Sequence, residues 1–258
     1  MGFQCVACGS VAGEFSLLCP WCGAWLSLRG GPEEEQPAAP LPLPRVAPPA
    51  VARRRTGIDR LDALLGGGFV AGSSVLLTGA PGAGKSTLLL QLLSASGAAA
   101  LYVSGEEAAE QIKLRANRLG INTPDIAVAF ETNIRPVASY VRKQPPVFLV
   151  IDSIQTVYTD MSDSLPGSVT QVRKCAYVLR RLAQEKGIVL LVVGQVTKGL
   201  QAAGPKMLEH AVDAVLSLGM QADDPSSRVL SVSKNRFGPA GCSISLRMTS
   251  EGFLTAGD

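Results

Sequence analysis

No stretch of this 258-residue chain is both long enough and apolar enough to span a membrane, which argues against an integral membrane role. The opening, MGFQCVACGS, has no basic n-region and no long apolar core, so no secretory leader is expected. Val6 also stands where a myristoylation signal needs Ser or Thr. Charge of one sign is scarce. The 24 Lys and Arg against 21 Asp and Glu leave a net +3, which permits an acidic partner without requiring one. Cysteine is sparse beyond residue 22, because four of the six lie before it. Without an export signal the expected location is cytoplasmic, and there paired cysteines point to metal rather than disulfide. There is no internal repeat.

What is present falls into three zones. Residues 1–29 carry the cysteine pairs and both tryptophans, and read as a small zinc ribbon. Residues 30–55 are rich in Pro and Ala and end in Arg53-Arg54-Arg55. Proline fixes φ and cannot donate to a ladder, so an extended linker is expected. Residues 56–258 alternate apolar strands with amphipathic helices, the pattern of an α/β fold on a mostly parallel sheet. Strands are expected at 74–79, 100–104, 126–130, 147–152, 188–194, 214–218, 229–233 and 243–248. The first five are near-continuous apolar runs, as in strands buried on both faces. Helices are expected at 56–65, with Thr56 as N-cap, and at 85–96, 106–120 and 167–187.

Cys5-x2-Cys8 and Cys19-x2-Cys22 form two knuckles whose four sulfurs would complete a tetrahedron around Zn²⁺. So short a module buries little core, and the metal would supply most of its folding energy. Cys175 and Cys242, far apart in sequence, read as ordinary buried thiols.

The segment Gly79-Ala80-Pro81-Gly82-Ala83-Gly84-Lys85-Ser86-Thr87 matches G-x-x-x-x-G-K-[ST], with an apolar strand before it and an apolar helix after. Its backbone N–H groups would cradle the phosphates of ATP, Lys85 would neutralise their charge, and Ser86 would ligand Mg²⁺. Asp152, closing an apolar strand, would hold the Mg²⁺ through water. Glu106 and Glu107 end the neighbouring strand. Glu106 is the stronger candidate for polarising the attacking water, while Glu107 could equally be an acidic helix start. Gln195 ends a further strand, where its amide could sense the γ-phosphate.

The pieces TGIDRLDALLGGGFVAGS, PGAGKSTLLLQLL, YVSGEE, IDSIQTVYT, PGSVTQVR, AGPKMLEHAVDAVL and KNRFG resemble the RadA (Sms) family of bacterial DNA repair proteins, as does CPWCGAW. The resemblance covers nearly everything but the linker. It implies a RecA-like P-loop ATPase that binds single-stranded or branched DNA, forms a hexameric ring and drives branch migration, with recombinase or helicase proteins as further partners. It assigns Glu106 the catalytic-glutamate position. It makes residues 158–171 and 197–208 the DNA-facing loops, with Lys198 and Lys206 as phosphate contacts. Two departures stand out. The family usually has His where this chain has Gln195, the residue RecA itself uses. The family also continues into a Lon-like C-terminal domain, while this chain stops at Asp258.

Lys234 and Arg236, in KNRFG, share one face of an extended segment. Alone they read as cations guarding an edge strand. With the resemblance they become catalytic cations that complete a neighbouring subunit's nucleotide site. Two alternative functions remain: a KaiC-like signalling ATPase, and a non-enzymatic, nucleotide-gated adaptor that holds a partner through its zinc ribbon.

Overall fold

The computed structural model describes residues 2–7, 9–30, 42–45, 52–161, 163–195, 208–221 and 223–255. Near the N-terminus, β1 (Phe3–Cys5) pairs antiparallel with β2 (Val11–Ala12) and β3 (Leu28–Gly30). Next, β4 (Arg53–Arg54) pairs with β5 (Phe69–Val70), with α1 (Asp59–Leu65) between them. Arg53 and Arg54, expected at the end of the linker, are thus part of the folded unit. Arg53 also donates to the Gly68 carbonyl at 2.9 Å.

The central sheet is built from β6 (Ser74–Gly79), β7 (Ala100–Ser104), β8 (Ile126–Phe130), β9 (Phe148–Asp152), β10 (Val189–Gln195), β11 (Ala214–Met220), β12 (Ser227–Asn235), β13 (Cys242–Thr249) and β14 (Gly252–Thr255). Its spatial order is β14-β13-β12-β11-β6-β10-β9-β7-β8. The strands from β11 to β8 run parallel, and β12 to β14 add an antiparallel edge.

The two-residue period of each strand divides the core between two faces. Val75, Leu77, Phe148 and Val150 pack under α1, α2 (Lys85–Ser96) and α3 (Ala109–Arg118). Leu76, Leu149 and Ile151 pack under α4 (Ile134–Lys143) and α5 (Val169–Lys186). Each long run in the middle of the sheet is therefore buried from both sides. β8 departs from that expectation. It lies at the sheet edge and leaves Phe130 58% exposed, because only one neighbour covers it.

Two helix readings also change. Thr56 is not an N-cap: α1 starts at Asp59. The Thr56 hydroxyl accepts from the Ile58 amide at 3.1 Å, and its own amide donates to the buried Asp62 carboxylate at 2.7 Å. Helix α4 was not expected. Asn133 caps it through the Arg135 amide, and Ile134, Val137, Ala138 and Val141 form its buried stripe. Trp21 of the cysteine module packs on the same face of the sheet as α4, 5.5 Å from the Arg142 guanidinium.

Cys242 is half-buried, whereas Cys175 is fully enclosed and desolvation pushes its thiol up to about 12. At pH 8 the folded protein should leave Cys175 unmodified by a disulfide-exchange reagent and release it only in denaturant. Peptide mapping that finds Cys175 labelled in the native state would show that this core opens.

Candidate functional site

Four neighbouring strand ends assemble the site. Register pairs Gln195 with Gly79 across β10 and β6, and Ser104 with Asp152 across β7 and β9. The segment after β6 must turn sharply and lie against its neighbours. A side chain at Gly79 would meet the Leu218 carbonyl at 2.6 Å. At Gly84, with φ +101, it would strike Met248 and Phe253. Glycine is the residue that fits at both positions.

Lys85 begins α2 and donates to the carbonyls of Gly79 (2.8 Å) and Ala80 (3.0 Å). Desolvation lowers its pKa, and the nearby Asp152 and Glu106 charges act in the opposite direction. The Ser86 hydroxyl donates to Asp152 Oδ2 at 2.7 Å, and the Tyr102 hydroxyl donates to the same oxygen. Burial, and then the Asp152 charge, raise the Tyr102 pKa well above its ordinary value, so the phenol stays protonated.

The paired glutamates part ways in the turn before α3, where both backbone amides donate to the Ser104 hydroxyl. Glu107 is held by Arg115 through two hydrogen bonds of 2.7 Å. Glu106 instead accepts from Ser153 Oγ (2.7 Å) and from the Gln195 amide (2.8 and 3.1 Å). Lys85, Ser86, Asp152, Glu106, Glu107 and Gln195 line a cavity of about 390 Å³ together with Arg115, Arg118 and Met248, and Ser153 and Tyr102 support it from behind. Tyr102, Ser153, Arg115 and Arg118 were not picked out from sequence. A tyrosine in an apolar strand reads as core, and arginines on a helix read as a solvated face.

Lys234 and Arg236 lie elsewhere. β12 runs antiparallel to β11, so its end lies level with the starts of β11 and β6, at the opposite edge from the Gly79–Thr87 loop. The Lys234 ammonium donates to the carbonyls of Glu209 (2.6 Å) and Val212 (2.7 Å). Burial and the neighbouring Arg236 charge lower its pKa. Arg236 reaches the buried Asp213 carboxylate at 3.2 Å. Asp213, also missed from sequence, accepts from the Ser74 amide (2.9 Å) and hydroxyl (2.7 Å), fastening the start of β6. Residues 158–161 and 163–171 are fixed in part by the buried Gln171, which bonds to Thr159 and Ser164. Lys198 and Lys206 lie outside the described residues.

In the N-terminal module the sulfurs of Cys5, Cys19 and Cys22 lie within 4.8 Å of one another, and those of Cys5 and Cys22 are 3.6 Å apart. Tetrahedral zinc with Zn–S bonds of about 2.3 Å needs sulfurs roughly 3.8 Å apart, so these three fit the ion. The Trp21 amide donates to Cys19 Sγ at 3.4 Å, the outer hydrogen bond expected of a thiolate ligand. Cys8 lies outside the described residues.

Known proteins share both the sequence and the fold. The chain is 42% identical to the DNA repair protein RadA of Bacillus subtilis over 92% of its own length and 55% of that relative's. The chain is RadA-like over nearly its whole length. The RadA of Aquifex aeolicus is 40% identical over 97% of this chain and 58% of its own. The chain thus spans little more than half the length of these RadA relatives. A family model described as "ATPase: KaiC" matches residues 54–130. The fold is RecA-like. The crystal structure of the RadB recombinase aligns with a TM-score of 0.60 and 26% identity, covering 78% of this chain and 98% of that one. A KaiC-like protein from Pyrococcus horikoshii aligns at 0.66 and 23% identity, covering 80% and 99%.

Replacing Asp213 by Ala strands the Ser74 donors and the Arg236 cation. The expected loss is about 2–3 kcal/mol, since buried donors left without partners cost this much. Urea unfolding would measure it, and a midpoint equal to the wild type's would remove Asp213 from this role.

Proposed function

We propose that this chain is an ATPase of DNA repair, one that binds single-stranded or branched DNA and couples ATP hydrolysis to the processing of recombination intermediates. The observation that carries this reading is the convergence of Lys85, Ser86, Asp152, Glu106 and Gln195 on one cavity at the strand ends. Similarity to RadA proteins supplies the DNA repair context.

In this reading the Gly79–Thr87 loop binds the triphosphate, and Lys85 exchanges its two loop carbonyls for phosphate oxygens. Ser86 and Asp152, already in contact, would hold the Mg²⁺ that accompanies ATP. That ion would neutralise charge on the transferring phosphoryl group. Glu106 orients a water molecule and accepts its proton as the oxygen attacks the γ-phosphorus, with ADP leaving. Ser153 and Gln195 fix the carboxylate. Glu107 is occupied by Arg115 and serves the wall of the site. Cys5, Cys8, Cys19 and Cys22 would hold Zn²⁺, which would supply folding energy to the N-terminal module. The chain is proposed to act in the cytoplasm within a homo-oligomeric ring. There Lys234 and Arg236 of one subunit face the nucleotide of the next, and recombinase or helicase proteins are candidate partners. The KaiC-type match spans residues 54–130, which hold the Gly79–Thr87 loop and the paired glutamates that both ATPase readings share, and so does not favour signalling.

The test is the ATPase rate with and without single-stranded DNA. Stimulation is expected, and a rate indifferent to DNA would overturn the coupling. Glu106→Gln should lower turnover about 10²-fold or more, in the range for a lost general base, while Glu107→Gln costs much less. Equal losses would refute the division of labour between them.

Arg236→Ala should lower stimulated turnover by about 10³-fold, as removal of an arginine finger does, while the variant still binds nucleotide. Mixing it with a Lys85→Ala variant should restore part of the rate, because each supplies what the other lacks. No recovery in the mixture would count against action between subunits.

A further inference from the structure

We propose that Arg228 is a positioning residue for the phosphate loop: from behind the loop it holds the peptide that presents the Gly84 N–H to the nucleotide. This rests on the reading of Gly79–Thr87 as a nucleotide site. Along β12 the inward positions are Arg228, Leu230 and Val232, all buried, with half-exposed residues between them. Leu230 and Val232 join the core beside α1 and α2. Arg228 therefore occupies a position that the pattern reserves for an apolar side chain, and it is only 6% exposed.

A buried guanidinium is costly unless it is paired, and it does not shed its proton. Among the described residues Arg228 has no carboxylate within ion-pair distance. Its contacts are backbone carbonyls. Nε donates to Ala83 at 3.1 Å, and Nη1 donates to Pro225 at 2.6 Å and Ser227 at 2.9 Å. Two of these anchor it to its own strand entry. The third crosses 145 residues of sequence to the phosphate loop.

The consequence follows from peptide geometry. A trans peptide is planar, and its C=O and N–H point in opposite directions. Drawing the Ala83 carbonyl toward Arg228 therefore directs the Gly84 N–H away from the core. Gly84 lines the cavity and packs so close to Met248 and Phe253 that a side chain there would strike them. Ala83 is itself fully buried. The arginine also places a fixed positive charge, with no carboxylate beside it, behind the loop that receives the triphosphate. An anion bound in front of the loop would offset the cost of that charge.

The experiment compares wild type, Arg228→Met and Arg228→Lys by titration with a fluorescent ATP analogue and by melting without nucleotide. Met keeps much of the volume and removes the charge and the donors. Lys keeps the charge and fewer donors. The expected result is a Kd raised about 10- to 100-fold in the Met variant, as for a lost charged hydrogen bond, with partial recovery in the Lys variant. The nucleotide-free melting temperature should stay near that of the wild type. A purely structural arginine would lower that temperature and leave the affinity of the folded protein unchanged, which would overturn the proposal. If the Met variant does not fold, the Lys variant decides, and wild-type affinity there is equally fatal. If the wild type itself fails to bind the analogue, it is the nucleotide-site reading that falls.

Discussion

One carboxylate oxygen joins three pieces of the candidate site. Asp152 Oδ2 accepts from Ser86 at the start of α2 and from Tyr102 on β7, while Asp152 itself ends β9. Helix α2, the strand leading to Glu106 and the strand ending in Asp152 are thereby held in one arrangement. Remove that oxygen and the Tyr102 hydroxyl, buried with its pKa driven upward, loses the acceptor that makes its burial tolerable. Glu106 depends on the same arrangement at one remove. Its partner Ser153 follows Asp152 directly, and its other partner, Gln195, ends the next strand. Each polar group at the strand ends is positioned by another, so the site's geometry is a property of the whole network.

This explains which parts were legible in the sequence. Gly79–Thr87, Asp152, Glu106 and Gln195 follow apolar strand runs, and a parallel sheet gathers the ends of such runs at one edge. Local pattern was enough to find them. The residues that hold them were not visible. Tyr102 has the periodicity of core, Arg115 that of a solvated helix face, and Asp213 that of a loop acid. Each acquires its meaning from a partner far away in sequence: Tyr102 from Asp152, Asp213 from Ser74, Arg228 from Ala83. Only Arg115 with Glu107 is near enough for spacing to have hinted at a pair.

The errors in the fold have their own causes. The run IAVAF is apolar enough for the sheet centre, but a strand's place in the sheet depends on its neighbours, and β8 has only one. Thr56 has the right chemistry for a cap, yet the buried Asp62 takes its amide and the helix begins later. Helix α4 was hidden because Pro136 sits in its first turn and reads as a breaker. In that turn proline is tolerated, since no intrahelical bond to its nitrogen is required.

The sheet also limits how Lys234 and Arg236 could meet a nucleotide. They sit level with the start of β6, Arg236 tied through Asp213 to Ser74 and Lys234 to the Glu209 and Val212 carbonyls, while the Gly79–Thr87 loop leaves the far end of that strand. Five residues of strand, at about 3.3 Å each, put roughly 17 Å between the two edges. Neither cation's side chain bridges that span, so within one chain these cations and the phosphate cavity cannot share a ligand. The two charged edges become useful to each other only when subunits associate head to tail, loop edge against KNRFG edge. Such a contact would be heterologous: each subunit would offer one edge and receive the other, and repetition with closure would generate the proposed ring. The separation of the two edges thus makes assembly a condition for the KNRFG cations to act on nucleotide at all.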